Sequence, residues 1–199
     1  MELFISVVAT LVENWTTLKI IETMARVVTA VAKVLGLISP EESVESFGDK
    51  VLQAEDAGYK LEDYDSYNDY VKAIEDFQID PEKSGHYSPE QKEECAAKVL
   101  SGLIIENHPE VKEGFKELAD LAASKSEYFQ PERIEQLGKL MAEEKDFDLF
   151  KKVADVLNGV EKNYGIVDQA FNGMKTVEKR MDPALTEAAA CEKIMSMIK

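Results

Sequence analysis

Apolar residues recur every three or four positions along most of this chain, and that spacing places them on one face of an α-helix. Val44, Phe47 and Val51 follow the spacing early in the chain, and residues 134–141 follow it again later. No segment shows a convincing alternation of apolar and polar residues, although residues 4–12 are rich in β-branched side chains. The sequence therefore predicts an all-α fold.

Prolines that follow capping residues mark where helices are expected to begin. Ser39–Glu42 and Ser88–Gln91 each read as a capping box with proline at the first helical position. Pro109, Pro131 and the pair Asp182–Pro183 indicate three further helix starts. Together with the apolar spacing, these signals predict an irregular multi-helix bundle of about eight helices.

The net charge of −16 is concentrated in one part of the chain. Residues 1–40 are neutral, and residues 41–94 carry 17 acidic and five basic residues, which gives −12. The remaining residues, 95–199, contribute only −4. We expect a single helical domain over residues 1–199.

Within that domain, the charge and the apolar pattern suggest a subdivision into three segments. Residues 1–38 would form an apolar N-terminal helix, residues 39–87 an acidic helical segment and residues 88–199 a helical bundle. The acidic excess argues against direct binding of nucleic acid, because phosphate recognition needs clustered lysine and arginine.

The N-terminal helix changes its apolar face along its length. On a helical wheel, the polar stripe of residues 2–17 points away from that of residues 19–35. One straight helix could not bury both apolar faces against the same neighbour, so we expect a break or kink near residues 15–17, or a separate partner for the first half. That partner would be another part of the chain, a second copy or a different protein. The apolar residues assigned to this contact are Phe4, Val8, Leu11, Val12 and Trp15.

Acidic and tyrosine residues alternate in the middle of the chain. The carboxylates of Asp63, Asp65 and Asp69 are candidates for contact with a basic protein. The whole of residues 41–94 also fits a surface that only keeps the protein in solution, which is the ordinary role of such a charge excess. A calcium loop starting at Asp63 is excluded, since its sixth position is Asn68 and its twelfth is Ile74. The tyrosines that could join an aromatic–acidic recognition patch are Tyr59, Tyr64, Tyr67 and Tyr70. Tyr67 and Tyr70 equally fit the buried face of a short helix.

Residues that carry catalytic or metal chemistry are sparse. The only histidines, His86 and His108, fall in expected loops without any metal-ligand spacing, and Cys95 and Cys191 lie far apart in alanine-rich helical contexts. We therefore predict no catalytic residues, no metal and no cofactor. The uncharged stretches are too short to span a membrane, so a soluble cytoplasmic protein is expected.

These observations favour a non-enzymatic structural or adaptor protein that binds other proteins through helical surfaces, or self-associates through its N-terminal helix. The alternative is an acidic inhibitor, such as an immunity protein, an antitoxin or a nucleic-acid mimic, which would act through residues 41–94.

Overall fold

The computed structural model describes residues 18–124 and 127–197. Within them the chain forms ten α-helices and one 3-10 helix, and it contains no β-strand, so the all-α prediction is confirmed with ten helices in place of about eight. The break predicted near residues 15–17 lies outside the described residues. The first five helices are α1 (Leu18–Val34), α2 (Val44–Asp56), α3 (Tyr67–Ala73), α4 (Pro81–Ser84) and α5 (Pro89–Asn107), with the 3-10 helix at Leu61–Asp63. The others are α6 (Val111–Ser124), α7 (Pro131–Glu144), α8 (Leu149–Leu157), α9 (Tyr164–Met181) and α10 (Glu187–Met195).

The helices group into two compact units, which we call the N-terminal unit, ending at Pro109, and the C-terminal unit, beginning at Glu110. Helix α5 packs against α1 and α2, which both precede the boundary predicted at residue 87. The single domain over residues 1–199 stays a prediction. Within residues 18–124 and 127–197, none of the helices combines the length and the apolar character that a membrane span requires.

Two of the expected helix starts are confirmed. Ser88 and Gln91 form a complete capping box at the start of α5, and Pro131 occupies the first turn of α7. Two other starts are four residues too early: α2 is capped by Ser43 and not by Ser39, and α10 is capped by Thr186 and not by Asp182. Two nearby residues offer a cap in each case. The helix begins at the one that precedes the buried residues, because packing and not local propensity supplies most helical stability.

The N-terminal unit is built around α5, on which α1, α2 and α3 pack. Two glycines allow close approaches to this helix. The Cβ of an alanine at Gly48 of α2 would lie 2.0 Å from the carbonyl oxygen of Lys92, and one at Gly102 of α5 would lie 2.2 Å from the Tyr67 ring. The first contact brings the backbones of α2 and α5 together, and the second seats the Tyr67 ring of α3 directly on the α5 backbone. Both fix the positions of the acidic segments between these helices.

A carboxylate on α5 caps the start of α3. Glu106 accepts hydrogen bonds from the backbone N–H groups of Tyr67, at 3.3 Å, and Asn68, at 2.9 Å. It also accepts one from the Asn68 side chain at 2.7 Å. The first N–H groups of a helix have no partner within the helix, and they carry partial positive charge that a carboxylate satisfies. Glu106 therefore holds this seven-residue helix against the core.

In the C-terminal unit, α9 packs on α7, α8 and α10, and α6 packs on α8. The C-terminal helices meet at Glu178 of α9, whose side chain is fully buried. Its carboxylate pairs with Arg133 Nε at 2.7 Å and with Lys193 Nζ at 2.5 Å, so one acidic group joins α7, α9 and α10. An acidic residue in an otherwise apolar seam is stable here because both carboxylate oxygens are paired.

Candidate interaction surface

The carboxylates of residues 41–94 lie mainly on the surface of the N-terminal unit. Thirteen of the 17 acidic side chains are exposed, while two of the five lysines, Lys50 and Lys92, are half-buried in ion pairs with Glu42 and Asp49. The ratio of acidic to basic groups on the surface, 13 to three, is therefore higher than the 17 to five of the sequence, since those lysines are used internally. The exposed acidic residues are Glu41, Glu45, Glu55, Asp56, Glu62, Asp63, Asp65, Asp69, Glu75, Asp76, Glu82, Glu90 and Glu94.

The three predicted contact aspartates are all exposed, but they are not equivalent. Asp63 ends the 3-10 helix and Asp65 follows it, and both precede α3. Asp69 is occupied by the cap of that helix: its N–H donates to Ser66 Oγ at 2.9 Å, and Ser66 Oγ donates back to its carboxylate at 2.7 Å. Asp63 and Asp65 are thus better placed than Asp69 to contact another molecule.

The predicted patch of four tyrosines does not form as a surface. Tyr67 and Tyr70 are fully buried against α5, and burial raises the pKa of Tyr67 to about 12. Tyr64 is half-buried, with its ring edge against Tyr70 at 5.4 Å between centroids. Tyr59 is 38% exposed and packs its ring edge on Phe77. Only Tyr59 and part of Tyr64 remain to join the acidic surface, because the same helical spacing that suggests a patch also fits a buried face.

Carboxylates crowd together where α2 ends. Partial desolvation raises the pKa of Glu55, and Lys98 opposes that effect while Glu62 and Asp56 add to it. Asp56 also accepts a hydrogen bond from the Tyr87 hydroxyl at 2.5 Å. A carboxylate whose charged form is disfavoured by burial and by nearby carboxylates is stabilised when a cation approaches it. This end of the unit is therefore suited to accept positive charge.

A buried polar cluster supports this surface from beneath. Asp49 and Gln53, one turn apart on α2, are both almost fully buried, and Gln53 Nε2 donates to Asp49 Oδ1 at 2.9 Å. The other carboxylate oxygen accepts from Lys92 Nζ at 3.1 Å and from Ser84 Oγ. Burial raises the pKa of Asp49, but the hydrogen bonds from Ser84 and Gln53 and the charge of Lys92 together hold it below its ordinary value.

The same cluster resembles a serine–lysine arrangement only superficially. A lysine that acts as a base must accept the hydrogen of the serine hydroxyl, whereas Lys92 Nζ donates to Asp49 Oδ2 at 3.1 Å and to Ser84 Oγ at 3.2 Å. Ser84 donates its hydrogen to the carboxylate, and Gln53 further fixes the start of α4 by accepting from the Asp80 N–H at 2.8 Å. The cluster therefore ties α2, α4 and α5 together. Its sequence signal, two polar residues at the i and i+4 positions of an amphipathic helix, is too common to be diagnostic.

A pocket of about 340 Å³ opens on the N-terminal unit between the turn after α1, α2 and α3. Sequence reasoning gave no indication of it, because its lining residues come from four separate stretches of the chain. Leu37 and Ile38 approach it from the turn that follows α1, and Phe47 and Lys50 from α2.

The other predicted chemical features are placed as follows. His86 is exposed and His108 ends α5; across the described part of the chain, no three His, Cys, Asp or Glu side chains come together in a way that could hold a metal ion. Burial raises the pKa of the half-buried Cys95 thiol to about 12, which keeps it protonated and unreactive near neutral pH.

The N-terminal contact residues lie outside the described residues, and their assignment stays a prediction. They are Phe4, Val8, Leu11, Val12 and Trp15. The exposed carboxylates and the neighbouring pocket are therefore the described features that can support a functional proposal. Comparison of the chain with protein-family models, with curated proteins and with solved structures finds no match.

Proposed function

We propose that this protein is a non-enzymatic interaction protein whose N-terminal unit binds a basic protein through the carboxylates of residues 41–94. The observation that carries the proposal is the imbalance on that surface: 13 exposed carboxylates face only three exposed lysines, Lys60, Lys72 and Lys83. A concentration of one sign of charge draws oppositely charged partners and speeds their encounter. An adaptor or structural component would use such a surface for docking.

The rigidity of the supporting helices adds to this proposal. Asp49 and Lys92 join α2 to α5, and Glu106 fixes the start of α3, so the exposed acids are presented from fixed helices and short turns. A preorganised surface loses less conformational entropy on binding than a mobile acidic tail. The acidic inhibitor remains the alternative, and it would use the same surface with the difference that its partner loses an activity when bound.

The proposal is tested by neutralising three carboxylates on the acidic surface in one variant and three carboxylates of the C-terminal unit in a control variant. The test variant carries Glu62→Gln, Asp63→Asn and Asp65→Asn. The control variant carries Glu113→Gln, Glu144→Gln and Glu192→Gln, which are exposed carboxylates of the C-terminal unit. Both change the net charge by the same amount. Each protein, with the wild type, is used to capture partners from an extract of its host, and these are quantified by mass spectrometry at low and high salt.

We expect a basic protein that the wild type and the control variant capture equally and that the test variant loses. Raising the salt concentration should weaken its capture, because exposed charges are screened over a Debye length of about 8 Å at physiological ionic strength. Equal capture by both variants, or capture that does not respond to salt, would show that the acidic surface is not the docking site.

A further inference from the structure

The pocket beside α3 has an apolar interior whose floor belongs to the core. Phe47, Ile74 and Leu103 are almost fully buried and form its inner wall. Leu37, Ile38 and Val71 are half-buried and form the sides. An apolar concavity of this kind releases water favourably when an apolar group fills it. The interior is therefore suited to bind a hydrocarbon or aromatic group.

The size of the pocket limits what can enter. At about 30 Å³ for each water-sized group, a volume of 340 Å³ holds roughly 11 heavy atoms. That matches one large side chain, such as tryptophan, and lies at the lower end of the range for small-molecule sites. Protein interfaces often place one aromatic side chain in such a pocket, where it supplies a large share of the binding energy.

The charges at the mouth indicate what should flank that group. Lys50 is committed to Glu42, at 2.8 Å, and to the carbonyl oxygen of Glu75, at 3.5 Å, so it is not available to an anion. The Glu75 side chain is exposed, as are Glu41 and Asp76, the sequence neighbours of two lining residues. Among the lining residues, Glu75 and Lys72 remain after the Lys50–Glu42 pair, and their charges balance. The negative excess belongs to the surrounding surface of the unit, where 13 exposed carboxylates outnumber three exposed lysines, so the surroundings of the mouth are complementary to positive charge.

We propose that this pocket is the anchor site for the basic partner: it takes one large apolar side chain from a peptide segment whose lysine or arginine residues pair with Glu41, Glu75 and Asp76. This inference rests on the proposed function and adds to it the place of docking and the sequence character of the partner. The apolar anchor supplies affinity, and the acidic surroundings of the mouth select a basic segment around the anchor.

The test uses the full chain labelled with ¹⁵N and two capped peptides, Lys-Lys-Trp-Lys-Lys and Lys-Lys-Ala-Lys-Lys. Two variants probe the site: Val71→Phe, which fills the pocket, and Glu75→Lys, which reverses charge at its mouth. Their matched controls are Val34→Phe and Glu94→Lys, at exposed positions of the same unit that do not line the pocket. Amide spectra of each free variant show whether the fold is retained.

We expect the tryptophan peptide to shift the amides of residues 37–42 and 71–75 and to bind roughly tenfold to a hundredfold more tightly than the alanine peptide, as burial of a large apolar side chain provides. Val71→Phe should remove most of that difference and Glu75→Lys should weaken both peptides, while the two controls behave as wild type. A variant that has lost its fold is replaced by Ile38→Phe at the same wall.

Three results would overturn the inference. Equal binding of the two peptides would leave the acidic surface as a docking site but remove the pocket from it. Absence of shifts with either peptide would show that a basic apolar segment is not the occupant, whereas the partner capture described above tests the acidic surface independently. Shifts produced by decanoate and not by the peptides would identify a small amphipathic molecule as the occupant.

Discussion

The close approach of α2 to α5 at Gly48 gives the sharpest stability prediction. An alanine Cβ there would lie 2.0 Å from the Lys92 carbonyl oxygen, 2.5 Å from its carbonyl carbon and 2.8 Å from its Cα, whereas ordinary contacts fall at 3.4–4 Å. All three atoms are backbone atoms of a helix, so no side-chain rotation relieves the clash. Gly48→Ala therefore requires the two helices to separate.

The magnitude follows from two opposing effects. Alanine favours a helix over glycine by about 1 kcal/mol, and overpacking a buried contact costs about 3 kcal/mol when the backbone must move. Separation also stretches the Asp49–Lys92 ion pair, which joins the same two helices at 3.1 Å. We expect a net loss of about 2 kcal/mol or more in the free energy of unfolding. For a unit of this size that lowers the melting temperature by roughly 10 °C.

Gly165→Ala is the matched control, because it is the same substitution in a helix where the nearest atom, Asn163 Oδ1, would lie at 3.4 Å. It should be neutral or stabilise by up to about 1 kcal/mol. Urea unfolding followed by far-UV circular dichroism measures both variants, and hydrogen exchange should show the loss of protection in α2 and α5. Equal stability of the two variants would refute the close approach.

Two further predictions concern buried carboxylates. Glu178→Ala leaves Arg133 without its buried partner and should destabilise the C-terminal unit by about 3 kcal/mol in urea unfolding, whereas exposed Glu192→Ala should change stability by less than about 0.5 kcal/mol; similar effects would contradict the role given to Glu178. The folded-state pKa of Asp49 lies below its ordinary value of 3.8. Its contribution to stability is therefore complete above that pH and is lost as the pH falls through the lowered pKa. Asp49→Asn should flatten the acid limb of a stability–pH curve measured by thermal unfolding, and an unchanged limb would argue against the Asp49 cluster.

The proposed acidic surface could be predicted from the sequence only in part. The concentration of acidic residues between positions 41 and 94 is visible in the sequence, and the exposed positions of Asp63 and Asp65 agree with it. The roles of Asp49 and Asp69 are not visible there, since one carboxylate is buried by residues of α4 and α5 and the other is taken by a helix cap. Composition counts charges, but only packing decides which of them reach solvent.

Helical character and the identity of the buried residues were determined by the sequence itself, because the apolar spacing of three and four is a local property of each segment. Tyr67, Tyr70 and Ile74 are spaced for one buried face, and the structure buries all three. Tertiary structure decided where helices begin when two caps compete, as at Ser39 and Ser43, since packing energy exceeds the difference between the caps. Tertiary structure also determined where the pocket forms, because its walls come from stretches that are distant in the chain and share no local pattern.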